Sequence, residues 1–268
     1  MKPVFSTKDI IIAALIPSLL LIALVGEAHG FPVFVVPIVV LLVIFFFIRR
    51  QYVLLRGVPD IPDPEHKIAV VKGILRKSYL LFFSDFRIKA RLMLATAYAD
   101  KGDYLASFET CEKVWDSLPR NFRAKPSLND REAAVYADEI IVLIHLGRLK
   151  PAESLLSELQ RKTFSDSAGR FLSMFSQLYL SVYKADDIPA AREKIEQIRP
   201  FLFDEAIHKQ FPMRDFRHTL LFLEAKLEML EKKYSEARSK FEIITLDSIN
   251  YGNKRLAKEA LDYWITRS

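Results

Sequence analysis

The chain of 268 residues has little cysteine, glycine or histidine: one Cys, eight Gly and five His. A single cysteine excludes a disulfide framework and any zinc or iron–sulfur site built from several cysteines. Glycine-dependent phosphate loops, a Gly-x-Ser-x-Gly elbow and a paired-histidine zinc motif are all missing from the sequence. We therefore expect no cofactor and no metal. With 51% apolar residues, the chain is nevertheless long and apolar enough to bury a core.

Ionisable residues are almost missing from residues 10–48, where only Glu27 and His29 occur. Two apolar runs fill this segment, Ile10–Val25 and Phe31–Ile48. At about 1.5 Å per residue they extend over roughly 24 and 27 Å, close to the hydrocarbon thickness of about 30 Å. The sequence therefore predicts a transmembrane helical hairpin over residues 1–50. Because neither run has an ionisable residue in its middle, we interpret the hairpin as an anchor.

The orientation of this hairpin follows from the charges behind it. Both ends of a hairpin face the same side, and the positive-inside rule places the side with Arg49, Arg50 and Arg56 in the cytoplasm. We expect a two-pass protein of the inner cell membrane whose remaining domain is cytoplasmic. Alternatively, the first run is a cleavable signal peptide ending at Gly26-Glu27-Ala28, which leaves that domain cytoplasmic as well.

The formal charge of +6 is concentrated just after the predicted membrane block. Residues 49–91 contain ten basic and four acidic residues, and the rest of the chain is close to neutral. This distribution indicates a surface near anionic lipid and gives no support for nucleic-acid binding. The lipid-facing basic zone that we expect comprises Arg49, Arg50, Arg56, Lys72, Arg76 and Lys77.

A proline-rich linker and an amphipathic helix are predicted next. Three prolines within Val58–Pro64 favour a stiff, extended spacer, so we assign residues 51–64 to a juxtamembrane linker. Residues 65–83 show a helical stripe of apolar residues beside a basic face. This helix either packs on the following helix, which we favour, or lies in the lipid headgroup layer.

Two stretches with apolar residues at helical spacing follow in Phe86–Leu118. A break at Lys101-Gly102-Asp103 separates them, and Pro119 ends the second. The spacing of small and aromatic residues here resembles the tetratricopeptide repeat family. The family usually has alanine and an aromatic residue where this chain has Ser107 and Cys111. The family pattern falls on Leu94, Ala95, Tyr98, Gly102-Asp103-Tyr104, Ser107, Val114 and Pro119.

Weaker copies begin at residues 133, 172 and 218, and a closing helix is predicted over Asn253–Thr266. The spacings between copies exceed the 34 residues of the family repeat, so helices or loops must be longer here. The expected fold is all-α, with the transmembrane hairpin followed by a tetratricopeptide-like α-helical solenoid over residues 65–268. A small residue follows the turn in each weaker copy: Ala152, Ala191 and Ala237.

The resemblance implies a groove, lined by the first helix of each repeat, that binds a peptide or helix of a protein partner. Leu92, Thr96 and Asp138 occupy positions where chaperone-binding members carry a basic and asparagine-rich clamp, so we expect an apolar segment instead. The alternative is that these residues only pack the array. Register places the following residues in the groove: Lys89, Leu92, Thr96, Ala99, Ala134, Ala137, Ile141, Ser176, Leu180, Tyr183, Phe222 and Lys226.

Candidate chemistry is sparse. Cys111 falls at an inward helical position, and pairs such as Asp186-Asp187 fit turn caps better than a catalytic dyad. We therefore expect a membrane-anchored scaffold and not an enzyme. Two alternatives stay open: an enzyme subunit with an unrecognised site in the repeat groove, and an anchor whose spans assemble with other membrane proteins.

Overall fold

A computed structural model describes residues 35–77, 84–208, 213–248 and 250–265. The predicted all-α class is confirmed, since the described chain is helical apart from loops and one pair of two-residue strands. The elements are α1 Val35–Gly57, a 3₁₀ turn Val58–Asp60, α2 Pro64–Lys77, α3 Ser84–Lys101, α4 Tyr104–Trp115, β1 Ser127–Leu128, α5 Asp130–His145, α6 Leu149–Gln160, β2 Thr163–Phe164, α7 Ser167–Lys184, α8 Ile188–Ile198, a 3₁₀ segment Arg199–Phe203, α9 Glu205–His208, α10 Met213–Leu230, α11 Tyr234–Asp247 and α12 Tyr251–Ile265.

Four helical hairpins repeat along the described part of the chain: α3/α4, α5/α6, α7/α8 and α10/α11. Each turn contains one residue in the left-handed region, namely Gly102, Gly147, Ala185 and Lys232. In three of the turns, the amide of the residue directly after the left-handed one donates to a carbonyl five residues earlier, as between Arg148 N and Leu143 O at 2.9 Å. This is the Schellman ending, which satisfies carbonyls that a helix end leaves without partners.

In every hairpin, the first turn of the second helix lies close to the first helix. The fourth residue of the second helix is small and completely buried in all four hairpins, so the two backbones can come together. Ser107 is the polar member of the set, and its hydroxyl donates to the carbonyl of Ala95 on the facing helix at 2.8 Å. The contact therefore tolerates serine at the position where the other three hairpins have alanine. The four residues are Ser107, Ala152, Ala191 and Ala237.

The loops between hairpins account for the long repeat spacing. β1 and β2 lie in two of these loops and pair in parallel, with Ser127 opposite Thr163 and Leu128 opposite Phe164. The sequence analysis did not predict this pair, because a two-residue strand leaves no alternation to detect. The described part of the third loop holds the 3₁₀ segment and α9.

The first helices of the hairpins contact one another in chain order, and α12 continues this row after α10. α12 also packs against α3, so the row closes on its own beginning. Arg255 of α12 fixes this closure by donating to the carbonyl of Asp100 at 3.2 Å and to the hydroxyl of Tyr104 at 2.7 Å. A guanidinium at a helix C-terminus is favourable because the last carbonyls carry partial negative charge.

Residues 51–77, which precede the hairpins, are part of the folded structure. α1 continues to Gly57, and Leu55 and Val58 are buried with the apolar stripe of α2 against α3. Of the expected linker, residues 51–57 belong to α1 and Val58–Asp60 form the 3₁₀ turn, whereas residues 61–63 are non-helical and connect this turn to α2. Since Ile68 and Val71 of α2 are buried in the same cluster, the helix packs on α3 as the favoured alternative predicts.

The predicted membrane block is described only in part. The first run, Ile10–Val25, and residues 31–34 of the second run lie outside the described residues, as do residues 78–83 of the amphipathic helix and the last residues of the closing helix. Within the described part of the chain, we find no helix with enough length and apolarity to cross a bilayer.

The left-handed turn residues lead to a first prediction. Lys232 has φ +62°, which costs about 1 kcal/mol for a residue with a Cβ, whereas glycine adopts it freely. Lys232→Gly should raise the free energy of unfolding by about 0.5–1 kcal/mol in urea titrations of the full chain in detergent. Lys233→Gly is the matched control, because Lys233 has φ −86°. Equal effects of the two substitutions on the free energy of unfolding would contradict the left-handed backbone conformation of Lys232.

The closure of α12 on α3 leads to a second prediction. A Cβ on Gly252 would lie 2.7 Å from Oδ1 and 3.1 Å from the Cα of Asp100, so Gly252→Ala should cost about 1–3 kcal/mol. Hydrogen exchange should accelerate in α12 before the other helices. Gly73→Ala is the control: nothing lies within 4 Å of the added methyl in α2, and alanine should stabilise that helix by about 0.5–1 kcal/mol. Unchanged exchange in the Gly252 variant would disprove the tight contact.

Candidate functional site

Four of the predicted groove residues lie inside the helix packing. Ala137, Ser176, Leu180 and Phe222 are at most 5% exposed, and the hydroxyl of Ser176 donates to the carbonyl of Leu172 in its own helix. A partner cannot reach these side chains while the helices stay packed. At these four positions the alternative interpretation, packing of the array, describes the structure.

The other predicted groove residues remain accessible to different degrees. Thr96 is exposed, and its hydroxyl donates to the carbonyl of Leu92 one turn earlier. The remaining residues are half-buried, and those on α3 and α5 form the part of the inner face that a partner could still contact. The half-buried residues are Lys89, Leu92, Ala99, Ala134, Ile141, Tyr183 and Lys226.

Aromatic rings and a lysine converge on the inner face where the hairpin turns lie. The ring of His145 stacks on Tyr104 with centroids 4.3 Å apart, and its Nε2 shares a 2.7 Å hydrogen bond with the hydroxyl of Tyr179. Tyr179 stacks on Tyr183 at 5.1 Å, and the Nζ of Lys226 lies 3.4 Å from the centroid of the Tyr183 ring. We call these five residues the inner cluster. It joins elements of four hairpins.

The electrostatics of the inner cluster follow from its burial. Burial, together with the positive charges of Lys226 and Arg255, lowers the pKa of His145 to about 3, so the imidazole is neutral near pH 7. Burial also lowers the pKa of Lys226 to about 8 and raises the pKa of the Tyr179 hydroxyl. The cation of Lys226 is stabilised by the face of the Tyr183 ring.

A neighbouring carboxyl has a pKa shifted in the opposite direction. Burial, and then the negative charge of Asp100, raise the pKa of Asp138 on α5 to about 7. The Oδ2 atom of Asp100 lies 3.6 Å from the Nζ of Lys67 on α2. The carboxyl of Asp138 therefore binds a proton at a higher pH than an exposed aspartate does. It occupies a position where the chaperone clamp of the resembled family would need a basic or amide side chain.

Chemical candidates from the sequence behave as packing residues. Cys111 is 1% exposed, and burial raises the pKa of its thiol, so the thiolate nucleophile is suppressed. Asp187 caps α8 by accepting a hydrogen bond from the amide of Ala190, as expected for a turn residue. Within the described ranges, no group of three or more His, Cys, Asp and Glu side chains is arranged to hold a metal ion.

The predicted basic zone is split between two helices. Arg49, Arg50 and Arg56 are exposed on α1, and Lys72 and Arg76 are exposed on α2. The Nζ of Lys72 lies 5.3 Å from the ring centroid of Tyr98, so part of its stem covers α3. Lys77 ends α2, and its side chain lies outside the described residues. On α2, the zone can face lipid only through its basic side chains, because the apolar stripe of that helix is buried.

Sequence reasoning missed Tyr104, His145 and Arg255 as members of one inner surface. A signal existed for the first two, since His145 ends the first helix of its hairpin and Tyr104 begins the second helix of another. The turn ends of neighbouring hairpins lie side by side in such an array. Arg255 gave no comparable signal, because its partners precede it by more than 150 residues.

Comparison of the chain with protein-family models, curated proteins and solved structures finds no match.

The opposed pKa shifts predict how stability depends on pH. Folding lowers the pKa of His145 from 6.5 to about 3. Between these pH values the unfolded chain binds a proton that the folded chain does not, so acid destabilises the fold. Folding raises the pKa of Asp138 from 3.8 to about 7. Between these pH values the folded chain binds the extra proton, so acid stabilises the folded state. Asp138→Asn removes only the second effect. Stability should then fall more steeply between about pH 6.5 and 4, by up to about 1.4 kcal/mol per pH unit.

Urea unfolding of the full chain in detergent at several pH values measures this difference. Glu109→Gln is the control, because Glu109 is an exposed carboxylate and its loss should leave the pH profile parallel to that of the parent chain. Parallel profiles for the parent chain and the Asp138 variant would refute the opposed shifts.

Proposed function

We propose that the chain is a membrane-anchored, tetratricopeptide-like scaffold that holds a protein partner at the cytoplasmic face of the inner membrane. The anchor is the predicted two-pass hairpin of residues 1–50, and the partner, a peptide or helix, contacts the accessible part of the inner face. Holding a partner near the membrane raises its effective concentration without a chemical step.

The observation that carries this proposal is a pair of features that all four hairpins share. Each hairpin places a left-handed residue at its turn and a buried small residue in the fourth position of its second helix. Arrays built from such units present long surfaces for contact. The nearly uncharged segment 10–48 and the basic residues that follow it support the anchoring.

Leu92, Thr96 and Ile141 are the inner-face residues that we assign to partner contact. They belong to α3 and α5, which contact each other, and each side chain keeps some exposure. The partner surface is then a small apolar area with threonine at its edge. This composition favours an apolar helix or extended segment over an acidic tail.

One observation favours the alternative of an enzyme subunit, namely the shifted pKa values in the inner cluster. His145 argues against acid–base catalysis there, because an imidazole with a pKa of about 3 is a weak base at neutral pH. Its Nε2 is also engaged by Tyr179. Contact is therefore the function that the cluster supports better.

The proposal predicts two separable defects in cells. Deleting residues 1–48 should release the chain from the membrane fraction, because the predicted anchor is lost. Leu92→Glu should reduce crosslinks to partner proteins at least tenfold in native membranes, measured by quantitative mass spectrometry, because a charge enters the apolar contact. Leu105→Glu is the control, since Leu105 is 55% exposed on α4.

Two outcomes would contradict the proposal. The first is a chain without residues 1–48 that remains membrane-bound after alkaline extraction. The second is a Leu92→Glu variant that melts like the parent chain and keeps all of its crosslinks.

A further inference from the structure

A cleft lies between the 3₁₀ segment Arg199–Phe203 and α10, on the side of the array bordered by the outer helix α11. Its volume is about 370 Å³, within the usual range of ligand pockets. Leu202 and Leu220 form a buried floor, at 5% and 3% exposure, and Leu221 adds a partly buried wall. The cleft is therefore lined by apolar side chains that are already ordered by the core.

The rim of this cleft is apolar and open to solvent. Phe203 is 69% exposed and Ile243 is 46% exposed, on opposite elements that border the cleft. Leu246, one turn beyond Ile243 on α11, is 78% exposed. An exposed apolar surface that continues into a preformed cleft is typical of an interaction site.

The charge of the cleft is positive and is concentrated on Arg217. The carboxylate of Glu224 is engaged by Arg199 at 2.9 Å and by Lys240 at 3.1 Å, so it does not balance Arg217. The guanidinium of Arg217 lies 5.2 Å from the ring centroid of Phe203 and donates to the carbonyl of Leu202 at 3.5 Å. No carboxylate of the described residues pairs with it.

An arginine stacked on an exposed aromatic ring beside an apolar floor is the composition of an interface hot spot. Such an arginine can accept a carboxylate from outside through two parallel hydrogen bonds. Apolar side chains of the same segment would enter the cleft and cover Phe203 and Ile243. The cleft therefore favours a segment that has both apolar side chains and a carboxylate.

We propose that this cleft binds an amphipathic segment of a partner protein, whose apolar side chains enter between Phe203 and Ile243 and whose Asp or Glu pairs with Arg217. The inference rests on the proposed function in that the occupant is a protein partner. It assigns a contact surface separate from the inner face, formed by an outer helix and a connecting segment.

A displayed library of random peptides, selected on the full chain in nanodiscs, tests the proposal. The recovered peptides should combine Leu, Ile or Phe with Asp or Glu within one helical turn. Phe203→Ser and Ile243→Ser should each weaken binding of these peptides at least tenfold, whereas Leu105→Ser, another exposed apolar position, should leave it unchanged. Melting curves establish that each variant is folded, which we expect because the three side chains are exposed.

Charge reversal provides the sharper criterion. Selection on the Arg217→Glu variant should yield peptides with Lys or Arg in place of the acidic residue. Peptides without acidic enrichment on the parent chain, or an unchanged charge preference on the variant, would overturn the proposal. Self-association of the full chain that Ile243→Ser abolishes in sedimentation would also overturn it, because the occupant would then be a second copy.

The same variants separate this inference from the proposed function. If the crosslinks in native membranes disappear with Leu92→Glu but persist with Ile243→Ser and Arg217→Glu, the cleft assignment fails and the scaffold proposal stands. If Ile243→Ser and Arg217→Glu reduce crosslinks and Leu92→Glu does not, the inner-face contact fails while the cleft assignment stands.

Discussion

The close approach of two helices at each turn is the constraint on which the rest of the structure depends. A completely buried small residue allows the second helix to pack directly on the first, as Ser107 does on Ala95. A left-handed residue five or six positions earlier reverses the chain within a few residues. The first helices of successive hairpins then form a continuous row.

Closure of that row changes what the inner face can do. In an open array, the first helices leave a groove for a partner. Here α12 continues the row and its Arg255 binds the end of α3, while stacked rings fill the space between α5, α7 and α10. Recognition is therefore left to the half-buried edge on α3 and α5 and to surfaces outside the row.

The sequence predicted the elements formed by neighbouring residues. The break at Gly102, the small residue at Ala152 and the cap at Asp187 each depend on contacts within a few positions, and such contacts leave a local pattern. The burial of Leu180 and Phe222 and the docking of Arg255 depend on how small rotations add along four hairpins. These accumulated rotations leave no pattern in neighbouring residues, so the burial of the predicted groove residues was not the favoured prediction.

The burial of Leu55 and Val58 has a consequence for the orientation of the molecule. α1 passes directly into a packed turn, and its last residues belong to the same apolar cluster as α2 and α3. The end of α1 is therefore packed, through α2, onto the first helix of the first hairpin. With the proposed anchoring, the tilt of a single helix would set the height and direction at which every other surface faces the cytoplasm, without a flexible tether.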